Sequence, residues 1–202
     1  MVKRPAETAP QVEMGSAEML RAWLVQHNTQ TTGIWLVSAR AHATGYIGYD
    51  RIVEELLCFG WIDSLPRKLD ENRTMLYIAP RKPGSNWSRL NKDRVDKLIA
   101  AGRMTDVGLA CVSAAKLDGS WTALDDVEAG VIPPDLQAAL EQHGDALSHF
   151  SAFPKSVKRG ILEWIQNART PQTRLRRITE TAEQAAVNRR ANQYQQPADR
   201  HV

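Results

Sequence analysis

Arg81, Lys82 and Arg89 surround Ser85, Asn86, Trp87, Ser88 and Asn91 in one short stretch. An indole beside hydroxyls, amides and cations can stack a planar ligand and hold an anion. Pro80, Pro83 and Gly84 deny the stretch regular structure. A helix is predicted to start just after it, and its first backbone N–H groups suit an anion. The same residues have a plainer use: Ser88 can cap that helix and Trp87 can plug the core beneath it. Upstream, Asp63 also has two readings. It can accept hydrogen bonds from Arg67, Arg73 or Arg81 and set the loop geometry, or it can act as a base or hold a cationic group. The strand bearing Trp61 and Asp63 reaches the loop through a single hairpin, so both can line one cleft. The candidate ligand-binding residues are therefore Trp61, Asp63, Arg81, Lys82, Ser85, Trp87 and Asn91. The ligand expected is small, anionic or planar.

A second candidate is basic. Between Lys155 and Arg177 stand seven cations against Glu163 alone. Two predicted helix starts, at Ser156 and Thr170, lie in the same block. Lys155, Ser156, Arg159, Thr173, Arg174 and Arg177 are the residues that would meet phosphate, nucleic acid or an acidic protein partner. The plainer reading is a solvated basic face paired with Glu180, Glu183 and the acidic stretch upstream.

No catalytic set is assembled in the sequence. Cys58 sits at a predicted helix C-terminus, whose dipole disfavours a thiolate. Cys58 and Cys111 lie in apolar helical patterns and read as buried thiols, not as a disulfide. His27, His42, His143, His149 and His201 lack the spacing of a metal-binding helix pair, and no Cys-x-x-Cys is present. No phosphate-loop, dinucleotide or nucleophile-elbow motif occurs either. No metal or cofactor is expected. The leading class is a non-enzymatic binding protein. Nucleic-acid binding through the basic helices and an enzyme using Asp63 are the alternatives.

The elements that must position these residues follow from periodicity and punctuation. Ser16 caps a helix bearing Leu20, Trp23, Leu24 and His27. Gly33 to Ser38 is a continuous apolar run that suits a buried strand. Ile52, Leu56 and Phe59 make one face of a central helix over 49–59, and Gly60 ends it. Strands are predicted over 61–69 and 74–79, with Asp70 to Arg73 as the turn. Pro66 requires an edge strand or a bulge. Helices follow over 90–101, with Val95, Leu98 and Ile99 inward, and over 106–116, capped by Thr105. The rest is helical: from Pro134 to near Gly144, over 145–151, from Ser156, and from Thr170 with Pro171 in its first turn. The stripe of the last helix is Leu175, Ile178, Ala182 and Ala185. The fold class is α+β: a small mixed or antiparallel sheet packed by helices, then a C-terminal helical subdomain. Its expected divisions are a flexible tail over 1–15, an α+β core over 16–117 and a linker over 118–130. A helical subdomain over 131–190 and a polar tail over 191–202 complete it.

A formal net charge of +3 is too mild to imply a nucleic-acid role without local clustering. No stretch reaches the run of about 20 apolar residues that spans a bilayer. The opening Met1 to Gln11 lacks the apolar core of a signal peptide, so a cytoplasmic location is expected. The oligomeric state is not readable.

Several blocks together resemble a known family. Gly60-Trp61-Ile62-Asp63-Ser64, Ala79-Pro80-Arg81-Lys82 and Ser85-Asn86-Trp87-Ser88-Arg89-Leu90-Asn91 form the first group. Phe153-Pro154-Lys155-Ser156, Trp164-Ile165, Thr173-Arg174 and Arg177-Ile178 form the second. In this order they resemble the YdeI/OmpD-associated family, also called bacteriocin-protection proteins, over roughly Ser16 to Ala186. The resemblance implies a part in stress or bacteriocin tolerance and names no reaction.

Overall fold

Ile34, Trp35, Leu36 and Val37 are all buried, as a strand covered on both faces requires. They belong to the first of two units into which the chain divides between Thr122 and Ala123. The computed structural model describes residues 5–192. The first unit runs α1 (Pro5–Thr8), β1 (Gln11–Glu13), α2 (Ala17–Gln26), β2 (Ile34–Ala39), α3 (Tyr49–Cys58), β3 (Trp61–Lys68), β4 (Arg73–Pro80), α4 (Arg89–Ala100) and α5 (Asp106–Leu117). The sheet order is β1-β2-β4-β3, with β1 parallel to β2 and the other pairs antiparallel. Ile34 pairs with Ile78 and Leu36 with Leu76, so the two central strands lay their apolar residues side by side. Strand β3 is an edge, and its register slips between Asp63 and Pro66, which is where a proline without an N–H can be accommodated.

Helix α3 buries Ile52, Val53, Leu56, Leu57 and Cys58 in the core of this unit. It also buries a charge that its periodicity does not announce. Glu55 is 3% exposed and receives Arg21 at 2.8 Å and Arg103 on its other oxygen. Arg103 also reaches Glu54 at 3.2 Å, and Arg21 donates to the Arg103 carbonyl at 3.0 Å. Two partners on one carboxylate are what make its burial tolerable.

The end of α3 fixes where α5 begins. Gly60 takes φ +71°, the left-handed conformation that stops the helix. The Cys58 carbonyl, freed there, accepts from the Thr105 hydroxyl at 2.6 Å and the Thr105 N–H at 3.1 Å. Gly108 lies so close that an added Cβ would stand 2.2 Å from the Cys58 oxygen. Only glycine lets α5 seat against this turn.

The second unit is helical: α6 (Asp125–Ala129), α7 (Pro134–Glu141), α8 (Ala146–Ala152), α9 (Lys155–Gln166) and α10 (Pro171–Ala186). Its separate core gathers Leu136, Leu140, Phe150, Phe153, Ile161, Ile165, Ile178, Ala182 and Ala185. Thr170 caps α10 through the Thr173 N–H at 3.1 Å, with Pro171 in the first turn. The fold is α+β, a small mixed sheet packed by helices and followed by C-terminal helices.

Several local expectations change. The stretch expected as a loose tail contains α1 and β1, and Met14 is 3% exposed. A three-residue strand has no pattern to read, and its pairing with β2 supplies it. The expected linker contains α6, with Val127 buried in the second core. Ile99 and Leu175, expected to face inward, are exposed. Helix α9 starts at Lys155, and Ser156 lies inside it without capping it. Of the expected polar tail, residues 193–202 lie outside the described residues. Among the described residues no helix is long and apolar enough to cross a membrane.

Candidate functional site

A cleft of about 240 Å³ opens in the first unit, over the turn between α3 and β3. Phe59, Gly60 and Trp61 form its floor, Pro80 to Ser85 one wall, and Val107, Cys111, Ala114 and Ala115 another. The last four share one face of α5, so the glycine contact that seats this helix also places the wall. The wall carrying Arg81 is tied to the floor by the Arg81 N–H, which donates to the Gly60 carbonyl at 2.9 Å. It is tied to α5 by Asp118, which accepts from the Gly84 N–H at 3.1 Å and the Ser120 N–H at 2.9 Å.

Arg81 is the side chain with unmet chemistry. Its guanidinium lies 3.7 Å from the centre of the Trp87 ring, and Nη1 donates to the Asn86 carbonyl at 3.2 Å. Nε and Nη2 are closed to solvent, and neither has a hydrogen-bond partner among the described residues. Burial pushes the guanidinium down to about 10, against the pull of Cys111 and Asp63. It still carries its charge at neutral pH. Buried donors left unpaired are uncommon, because each loses its water without replacement.

The other predicted residues divide. Trp61 and Trp87 are each 1% exposed. Trp87 is tilted against Trp121 at 4.9 Å and covered by Arg81, so its ring is a plug in the core and offers no open stacking face. Ser88 caps α4 by accepting from the Asn91 N–H at 3.3 Å. Lys82 and Ser85 line the cleft, with Lys82 exposed at its mouth and the Ser85 N–H donating to the Lys82 carbonyl at 3.1 Å. Asn91 turns elsewhere, accepting from Arg94 at 3.1 Å. Asp63 accepts from the Tyr49 hydroxyl at 2.8 Å, so a phenol takes the place of the arginines expected there. Burial first, and then Asp63, push the Tyr49 phenol up to about 12. Asn91 and Asp63 are absent from the cleft lining.

Among the lining residues that the sequence reading did not assign to the site are two titratable ones, Cys111 and Asp118. Burial pushes the Cys111 thiol up, as it does the buried Cys58 thiol. Hydrogen bonding from Ser120, and then from the Gly84 N–H, holds the Asp118 carboxyl below the usual range. A depressed carboxyl contributes fully above the ordinary aspartate pKa and stops contributing as pH falls through the lowered value. The Gly84 amide resonance is therefore expected to titrate with a midpoint below the ordinary aspartate value. Asp118→Asn should abolish that step, and a midpoint at or above the ordinary value would contradict the Asp118–Gly84 hydrogen bond.

The basic block of the second unit is mostly engaged. Arg159 joins Glu128 and Glu163, each at 2.9 Å. Arg174 holds Asp135 in a fork, Nε at 2.7 Å and Nη2 at 2.9 Å. Arg177 donates to the Trp164 carbonyl and lies 5.0 Å from the centre of its ring, with Nε buried and unpartnered. Thr173 is spent on the Thr170 cap, while Lys155 and Ser156 stand exposed on α9. Among the described residues no group of three or more His, Cys, Asp or Glu converges where it could hold a metal.

Comparison with known families separates the two units. Residues 129–188 match the family model described as bacteriocin-protection, YdeI or OmpD-associated. That match lies within the second unit. Residues 12–111 match a different model, a domain of unknown function (DUF8412). The blocks around Gly60, Arg81 and Trp87 fall in that segment, so the family match covers less of the chain than the resemblance implied. No curated protein and no solved structure matches the chain. The cleft thus lies outside the segment that the YdeI/OmpD-associated model matches.

Proposed function

We propose that this chain is a non-enzymatic binding protein whose first unit holds a small anionic ligand at Arg81. In this reading the YdeI/OmpD-associated domain links that binding to stress or bacteriocin tolerance. The observation that carries it is the half-buried Arg81, whose Nε and Nη2 are closed to solvent and unpartnered beside a cleft. A fold gains nothing from desolvating a cation and leaving two donors empty; an anion in the cleft would fill them. The planar half of the expected ligand has less support, because Arg81 and Trp121 cover Trp87. A catalytic role for Asp63 has little support too, since its partner is Tyr49 and it lies off the cleft.

A binding residue of this kind trades stability for function. Arg81→Met keeps an apolar stem on Trp87 and removes the unpaired charge. Its ligand-free Tm is expected at or above that of wild type, because an unpaired buried ion is replaced by a well-packed apolar group. Anions that raise the wild-type Tm should leave Arg81→Met unmoved, a loss of about 1.5–3 kcal/mol of binding for charge-assisted hydrogen bonds. A large fall in the Tm of Arg81→Met would make Arg81 a structural residue and end the reading.

A further inference from the structure

We infer that the ligand of this cleft is a small monocarboxylate with a short apolar body, and not a phosphate; this rests on the anion-binding reading above. The first argument is the shape of the empty edge. Nε and Nη2 of an arginine point to the same side and form the fork that takes both oxygens of one carboxylate. The protein contains a filled copy of this arrangement: Nε and Nη2 of Arg174 hold the two oxygens of Asp135 at 2.7 and 2.9 Å. In Arg81 the corresponding pair has no partner, while Nη1 is already used by the Asn86 carbonyl.

The second argument is what else lines the cleft. A phosphate needs donors for more oxygens than one fork supplies, commonly from a glycine-rich loop or a helix start. Here Ser88 and Thr105 already cap α4 and α5, and the Gly84 N–H is taken by Asp118. The fixed charges are Arg81, Lys82 at the mouth and Asp118 at the rim, a balance that suits one negative charge better than two. The remaining surface is largely apolar, with Phe59, Val107, Cys111, Ala114 and Ala115, and its neutral polar side chains are Asn28, Ser85 and Ser120. Val107 is 40% exposed, an apolar side chain left open where a ligand's body would cover it. The volume of about 240 Å³ confines that body to a few carbons or one small ring. Because Nε and Nη2 are closed to solvent, the carboxylate reaches them only as the wall shifts, and Asp118 holds that wall through the Gly84 N–H.

The test is titration calorimetry on the full chain with acetate, propionate, butyrate, benzoate, butyramide, phosphate and sulfate. Butyrate is expected to bind more tightly than acetate, by about fourfold for each added methylene. Butyramide, phosphate and sulfate should bind at least tenfold more weakly than butyrate. Arg81→Lys keeps the charge without the fork and should weaken butyrate by at least tenfold. Ala114→Leu, on the exposed face of α5, should weaken butyrate and benzoate while leaving acetate unchanged, and keeps the test open if Arg81→Lys does not fold. Phosphate binding that depends on Arg81, without carboxylate binding, would overturn the ligand class and leave the anion-binding reading standing. No anion binding at all, or binding indifferent to both variants, would overturn both.

Discussion

Trp61→Ala is expected to destabilise the first unit by about 3–5 kcal/mol, the range for deleting a large buried aromatic. Trp61 is 1% exposed and meets the edge of Trp23 with ring centres 5.6 Å apart. It is the first residue of β3, directly after the left-handed Gly60, and its neighbours are core residues of α3 and β4. Little in that layer can close over the cavity, because the turn is pinned on one side by Thr105 and on the other by the Arg81 N–H. The check is urea unfolding followed by circular dichroism. A midpoint equal to that of wild type would show that Trp61 is not the centre of this core. Trp164 should behave differently. It is only partly buried against the second core and carries Arg177 on its ring. Its truncation should therefore cost less.

The second large effect is expected at Glu55. Glu55→Ala leaves Arg21 and Arg103 facing each other with no carboxylate between them, and should cost about 3 kcal/mol. The arginine side chains are 36% and 29% exposed, so water relieves part of the repulsion and the loss should fall at the low end for a broken buried pair. Arg51→Ala is the matched control. Its contact with Glu54 spans 3.6 Å at the surface, and its removal should change stability by less than about 0.5 kcal/mol. Equal midpoints for Glu55→Ala and Arg51→Ala would mean that the Glu55 network adds nothing to stability.

These two residues show what periodicity can and cannot reveal. Trp61 was legible because a helix face, a glycine stop and an apolar strand start agree within a dozen residues. The caps at Ser16, Ser88, Thr105 and Thr170 were legible for the same local reason. Glu55 was not, because its partners stand 34 and 48 residues away and a glutamate on a helix ordinarily points to water. The cleft was half legible. The proline–glycine loop and Arg81 drew notice as residue types. Cys111 was read only as a buried thiol and Ala114 and Asp118 not at all, since they join the site only when Gly108 brings α5 against Cys58. Trp87 and Asn91 looked functional by type; Trp87 lines the cleft as a buried ring, and Asn91 is the partner of a cap. In the basic block, composition showed seven cations against Glu163, but that Arg159 pairs with Glu128 and Glu163, and Arg174 with Asp135, became evident only from the packing of the helices.

The central claim concerns one edge of one guanidinium, and nitrogen-15 NMR of the Arg81 Nε–H group reads that edge directly. In the ligand-free protein at neutral pH the resonance should lie at the shift of an unbonded arginine Nε–H. Saturating butyrate should move it downfield and slow its exchange with water, while the Nε–H of Arg174, already held by Asp135, stays in place. An Arg81 signal that does not move at saturating butyrate, phosphate and sulfate in a folded protein would contradict the account.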